Sequence, residues 1–181
     1  MKIPSAELID DLIERTRLVI NEAEQLNQLS FDQLNKKSEP NKWSTLECIE
    51  LLNYYGIFYL PEIKMRIEKS NSKPETHFKS GLLGNYFAVG MLPKEKLNKM
   101  NTFKSMNPLN SKLTKEVLTV FLNQQQTMLK LLNQARSISL NKTKTSISIS
   151  KLIKLKLGDT FRVVIYHNQR HLMQAFKAAD I

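Results

Sequence analysis

The sequence predicts an all-α protein, a four-helix bundle, and three observations predict it. Four stretches carry apolar residues at helical spacing, and no stretch alternates convincingly enough for a sheet. At 181 residues the chain is long enough to bury a core as one domain over 1–181 without disulfides or a structural metal.

The first helix is expected over Ser5–Leu29. Leu8, Leu12, Leu18, Val19, Ala23 and Leu26 fall on its inner side, with Asp10, Asp11, Glu14, Glu22 and Glu24 outside and Ser5 as N-cap. Residues 30–42 are polar, carry the turn signal Pro40-Asn41 and read as a linker. The second helix starts at Ser44, because Ser44-Thr45-Leu46-Glu47 has the form of a capping box. The Ser44 hydroxyl accepts from the Glu47 amide, and the Glu47 carboxylate accepts from the amide of Ser44. Trp43 and Cys48 flank the cap as a hydrophobic staple. The apolar series continues through Ile49, Leu52, Tyr55, Tyr59, Ile63 and Ile67. Pro61 removes an interior hydrogen bond and predicts a bend near Ile57.

Residues 70–109 contain Pro74, Gly81, Gly84, Gly90, Pro93 and Pro108 and lack a long period. They predict a long irregular connection between helices two and three, with one or two short helical turns, covering one end of the core. The third helix is expected over Ser111–Arg136, with Leu113, Val117, Val120, Phe121, Met128, Leu131 and Leu132 inside. Residues 137–151 read as a loop rich in Ser, Thr and Lys, and residues 152–157 alternate in part, which suits an extended segment. The fourth helix runs over Gly158–Ala178 with Phe161, Val164, Ile165, Leu172 and Phe176 on its apolar face.

The formal net charge of +10 raises the question of nucleic acid. The lysines are scattered, however. Their densest group, from Lys142 to Lys156, is interleaved with Ser, Thr, Ile and Leu rather than with Arg or aromatic rings. Specific readout favours Arg and stacking side chains, so no specific nucleic-acid partner is expected. No stretch is apolar for long enough to cross a bilayer, the N-terminus lacks the apolar core of a signal peptide, and Cys48 is the sole cysteine. These features suit a cytoplasmic protein without a membrane partner.

The motif with chemical content is His167-Asn168-Gln169-Arg170-His171-Leu172-Met173-Gln174. Histidines four apart stand one above the other on a helix and can direct two imidazole nitrogens at one point, as a divalent metal requires. The same spacing also suits a plain surface or core pair. Gln174 lies a turn beyond His171, where it either orients an imidazole or satisfies a helix contact. Arg170 falls on another face and is expected at the surface in an ion pair. His77 is expected to be a surface loop residue. Cys48, in its staple position, is expected to be buried and inert.

Trp43-Ser44 with Glu47 at a helix start, combined with His-x-x-x-His-Leu-x-Gln near the C-terminus, resembles the DinB-like (YfiT-like) superfamily. That resemblance covers most of the chain and implies a four-helix bundle. It also implies a divalent metal, zinc or nickel, held by three histidines. Its members are described mostly as metal-dependent hydrolases, and some are thiol S-transferases using bacillithiol, mycothiol or glutathione. The implied partner is a small-molecule substrate or ligand, and a homodimer is compatible with the family. Two ligands carry over to His167 and His171. The first histidine of the pattern corresponds to Leu51, which has no lone pair. The resemblance therefore implies a degenerate site in which metal is held weakly or not at all. Glu47 and Tyr55, one turn either side of Leu51, are the candidate replacements, with Tyr54 also close and Asn53 pointing away. The alternative is a bundle that binds a small ligand, or only packs, without metal. No residue is assigned as catalytic.

Overall fold

The computed structural model describes residues 1–93 and 102–181. Four long helices make the frame: α1 (Ser5–Asn27), α3 (Thr45–Glu68), α5 (Glu116–Gln134) and α6 (Leu157–Ala179). Two shorter ones, α2 (Phe31–Asn35) and α4 (Leu82–Met91), lie in the connections. Two small antiparallel ribbons complete the fold: β1 (Lys2–Pro4) with β2 (His77–Lys79), and β3 (Lys144–Ile147) with β4 (Ser150–Lys156). The all-α expectation holds, and the ribbons sit at the end of the bundle where α1 and α6 begin.

Side-chain contacts fix the helix directions. Thr45 Oγ1 donates to the carbonyl of Ala175 at 3.0 Å, so α3 runs against α6. Lys115 Nζ reaches the carbonyl of Asn27, and Arg136 pairs with Asp10, so α5 runs against α1. Arg15 reaches Gln169 and lies over the Tyr166 ring, making α1 and α6 parallel neighbours. α3 and α5 are likewise parallel, with Asn53 Nδ2 on the Val117 carbonyl. Around the bundle the order is α1, α5, α3, α6. Parallel neighbours need a connection as long as the helix. A 24-residue α3 spans about 36 Å, which accounts for the long stretch between α3 and α5. That stretch is more regular than expected. β2 pairs with β1, and α4 is a 10-residue helix packed along α6 through Gly84 and Ala88. The expectation for residues 94–101 lies outside the described residues.

The core repeats along the bundle in two clusters. Leu8, Leu12, Ile63, Leu132 and Phe161 belong to the one nearer the ribbons. Val19, Leu26, Leu46, Phe121 and Leu172 belong to the other. A polar layer lies between them in sequence on every helix. Thr16 bonds back to the Leu12 carbonyl, and Asn168 Nδ2 donates to Gln125 Oε1 at 2.9 Å across the bundle. α3 contributes Gly56 there, against the Gln124 side chain. Thr16, Gln125 and Asn168 are tolerated there because they are hydrogen-bonded, whereas Gln124 Oε1 has no partner among the described residues.

Several local expectations need correction. Ser5 is not the N-cap. β1 feeds directly into the helix, Pro4 occupies the cap, and the Ser5 amide donates to the Thr76 carbonyl at 2.9 Å. The linker contains α2, whose Ser30–Gln33 capping box repeats the chemistry read at Ser44, with Leu34 buried beneath it. Leu18 and Val120 are exposed, each one residue, about 100° of rotation, off the buried stripe occupied by Val19 and Phe121. Residues 144–147 are a strand rather than loop. Thr145, opposite Leu155, is buried by a 2.6 Å hydroxyl contact with Thr160, so a polar residue does the work expected of an apolar one. α3 runs unbroken through Pro61, and Ile57, whose carbonyl lacks the Pro61 donor, carries an exposed side chain.

Candidate functional site

The candidate site lies between the first half of α3 and the second half of α6. The α3 start is built as its sequence predicts. Ser44 Oγ accepts from the Glu47 amide at 3.3 Å, and Glu47 Oε2 accepts from the Ser44 amide at 2.8 Å. The box holds Trp43 just outside the helix, where it packs half-buried against the cluster containing Cys48. The indole Nε1 donates to Asn107 Oδ1 at 3.1 Å. Cys48 itself is fully buried, and burial followed by the adjacent Glu47 charge pushes its thiol pKa up. It is an inert thiol, as expected.

Because α3 and α6 are antiparallel, rings from the two helices interleave in a row. The Trp43 ring lies 5.8 Å from that of His171, and the two histidine rings lie 4.5 Å apart in an edge-on arrangement. The Tyr55 ring is 4.5 Å from that of His167. Leu51, one turn before Tyr55 on the same helix face, is 1 % exposed. The two helices thus bring Trp43, Tyr55, His167 and His171 to one place.

His171 Nδ1 and Gln174 Oε1 are 3.0 Å apart. With the amide oxygen as acceptor, Nδ1 carries the proton and Nε2 keeps its lone pair. Burial lowers the His171 pKa to about 4, against the opposing effect of the Gln174 hydrogen bond and with a further contribution from Arg170. His167 is more deeply buried, and burial, then His171, then Arg170 hold it well below the usual imidazole range. Both rings are neutral at physiological pH, the form in which imidazole ligates a metal or accepts a proton.

The neighbours considered as replacement ligands divide sharply. Glu47 Oε2 is engaged by the Ser44 amide, and Oε1 accepts from Lys37 Nζ at 2.8 Å and from the Asn110 amide at 2.5 Å. Both oxygens are committed to holding the α3 start. Tyr55 stands against His167, and burial raises its phenol pKa, which disfavours the phenolate a metal would prefer. Tyr54 interacts with Glu50 and Ser111. Asn53 faces α5, bonded to the Val117 carbonyl. His77 is exposed on β2, next to the Thr76 hydroxyl. Among the described residues no three of His, Cys, Asp and Glu come together as metal ligands. His167 and His171 are the two imidazoles that the described residues bring together here.

One expectation here is overturned. Arg170 is 5 % exposed, not a surface residue. α6 is flanked by α1 and α3, with α4 against its first turns, and Arg170 is among its buried residues. The roles of Trp43 and Tyr55 as ring neighbours of the two histidines were not legible from spacing, because they depend on the offset of α3 against α6.

A model of the DinB superfamily matches residues 12–175 of the chain. No curated protein and no solved structure matches it. The matched span takes in Trp43, Glu47, Leu51, His167, His171 and Gln174, and nearly the whole of the four-helix frame, so the chain belongs to the DinB superfamily.

Proposed function

We propose that this is a DinB-superfamily protein whose cleft derives from a metal-dependent hydrolase or thiol S-transferase but whose metal site is degenerate. The observation that carries the reading is the environment of Leu51. In this reading the buried Leu51 side chain takes the place of the third imidazole, and the carboxylate of Glu47, one turn away, is committed elsewhere. Two imidazoles fill half of a tetrahedral shell, and a catalytic zinc ordinarily keeps three protein ligands. The test is the metal content of protein purified without an affinity tag, supplied with zinc or nickel and then dialysed. Well below one equivalent is expected. Stoichiometric metal lost on His171→Ala would refute the reading and direct attention to Tyr55.

A second reading draws on the ring row. Trp43, His171, His167 and Tyr55 offer stacking surfaces and neutral nitrogen atoms, which suits a small ligand bound without metal or turnover. A ligand that shifts the Trp43 fluorescence of metal-free protein supports this second reading.

A further inference from the structure

The ribbon end of the molecule carries a feature that the cleft does not use. Lys2 stands directly opposite Lys79 in the β1–β2 pair, and Lys144 directly opposite Lys156 in β3–β4. Like charges facing each other across a ladder are destabilising. The two ribbons are also joined, because Lys156 Nζ donates to the Lys79 carbonyl at 2.6 Å. Lys154 lies on the same side of β4 as Lys156, two residues away, and Lys142 just precedes β3. The Glu75 carboxylate near Lys142 and Lys156 offsets one of these charges, and Ser139 and Asn141 tie it down.

Beside this lysine cluster are aliphatic side chains in water. α4 contains no charged residue, and its Gly84/Ala88 side is spent on α6. On its opposite side Leu82 is 95 % exposed, Tyr86 74 % and Val89 43 %. β4 lies against α4 and adds Leu152, 93 % exposed, in the irregular stretch of the strand just before Lys154. Scattered exposed apolar side chains are ordinary, but a group of them rimmed by like charges marks a contact surface.

We propose that this face docks the protein on an anionic lipid surface. The charge is complementary to acidic headgroups, and Leu82, Tyr86 and Leu152 reach far enough from the backbone to enter the headgroup–acyl boundary. The composition argues against the other occupants. A second copy would set lysine against lysine. A nucleic acid would call for Arg and stacking rings, whereas the cations here are lysines and the apolar groups, Tyr86 excepted, are aliphatic. Among the described residues no helix is long and apolar enough to cross a membrane, and this contact is peripheral.

The test is co-sedimentation of the full chain with vesicles of phosphatidylcholine alone and with 30 % phosphatidylglycerol, at low and at physiological salt. Binding is expected to the anionic vesicles, to weaken as salt rises, and to be slight on the neutral ones. Each lysine near such a surface contributes about fivefold to partitioning. Lys79→Glu with Lys154→Glu is therefore expected to lower partitioning by more than about tenfold. Lys112→Glu, at the opposite end of the bundle, serves as the control and is expected to lower it far less. Leu82→Ser with Leu152→Ser replaces exposed side chains, leaves the fold intact by circular dichroism, and is expected to reduce vesicle binding while leaving retention on heparin unchanged. The proposal is overturned if anionic vesicles are not bound at low salt, or if the leucine pair makes no difference. It is also overturned if Lys112→Glu weakens binding as much as the face variants do. Tighter binding to duplex RNA or DNA than to vesicles would reassign the face to nucleic acid. A dimer that Leu82→Ser dissociates would reassign it to a second copy.

Discussion

Leu51→His is the perturbation that tests the proposed site most directly, because the proposal assigns the third imidazole's place to Leu51. Its cost without metal follows from burial. Leu51 is 1 % exposed, and truncating such a leucine to alanine costs roughly 2–5 kcal/mol. A histidine refills most of that volume, but its ring polar atoms enter a site with little water, so about 2–3 kcal/mol is expected. The new imidazole will be neutral, since burial already lowers the two beside it. Zinc should reverse the loss. A ligand that binds only the folded state at a thousand times its Kd stabilises by about 4 kcal/mol, enough to offset the packing cost. The assay is urea unfolding of tag-free protein, with chelator and with graded zinc, alongside calorimetric titration. In chelator the variant should unfold at lower urea than wild type. In zinc it should gain stability, with one site per chain, while wild type moves little. If zinc leaves the variant unmoved, Leu51 does not face the histidine pair as inferred. If wild type gains as much as the variant, a third ligand is already present and the degenerate-site reading fails.

Three further outcomes follow from other parts of the structure. In metal-free protein, burial lowers the His171 pKa from 6.5 to about 4 and also holds that of His167 well below 6.5, so below pH 6.5 the unfolded chain binds protons that the folded chain does not. Stability is then full above pH 6.5 and falls between there and about pH 4, by up to about 3 kcal/mol from His171. His171→Gln should flatten that slope in urea titrations, and an unchanged slope would refute the assignment. Ser44→Ala removes the hydroxyl that accepts from the Glu47 amide and should cost about 1 kcal/mol in the same assay, and no loss at all would show that Lys37 and the Asn110 amide hold Glu47 unaided. Asp159→Ala leaves Arg162, itself buried, without its carboxylate and frees the Ser80 hydroxyl and Gly81 amide. A cost of about 3–5 kcal/mol is expected for this uncompensated charge, read as a lowered melting temperature, and a loss under 1 kcal/mol would mean that water reaches Arg162.

What the sequence determined by itself was whatever depends on neighbours along the chain. The Ser44–Glu47 capping box, the four amphipathic faces and the histidine pair with Gln174 all rest on spacings of three or four residues, and helical geometry turns such spacings into contacts. The absence of a lone pair at Leu51 needed no structure. The Ser30–Gln33 box is equally local but lies within a polar linker that carries no long apolar period. What only the tertiary structure decided depends on how elements meet. Arg170 reads as a surface residue until the packing around α6 buries it. Thr145 reads as loop until Thr160 supplies a partner that makes its burial tolerable. Glu47 remains a candidate ligand until Lys37 and the Asn110 amide, brought from ten and sixty-three residues away, take its second oxygen. The ring row of Trp43, His171, His167 and Tyr55 depends on the offset between two antiparallel helices. Long-range packing sets that offset, and no local pattern in either helix encodes it.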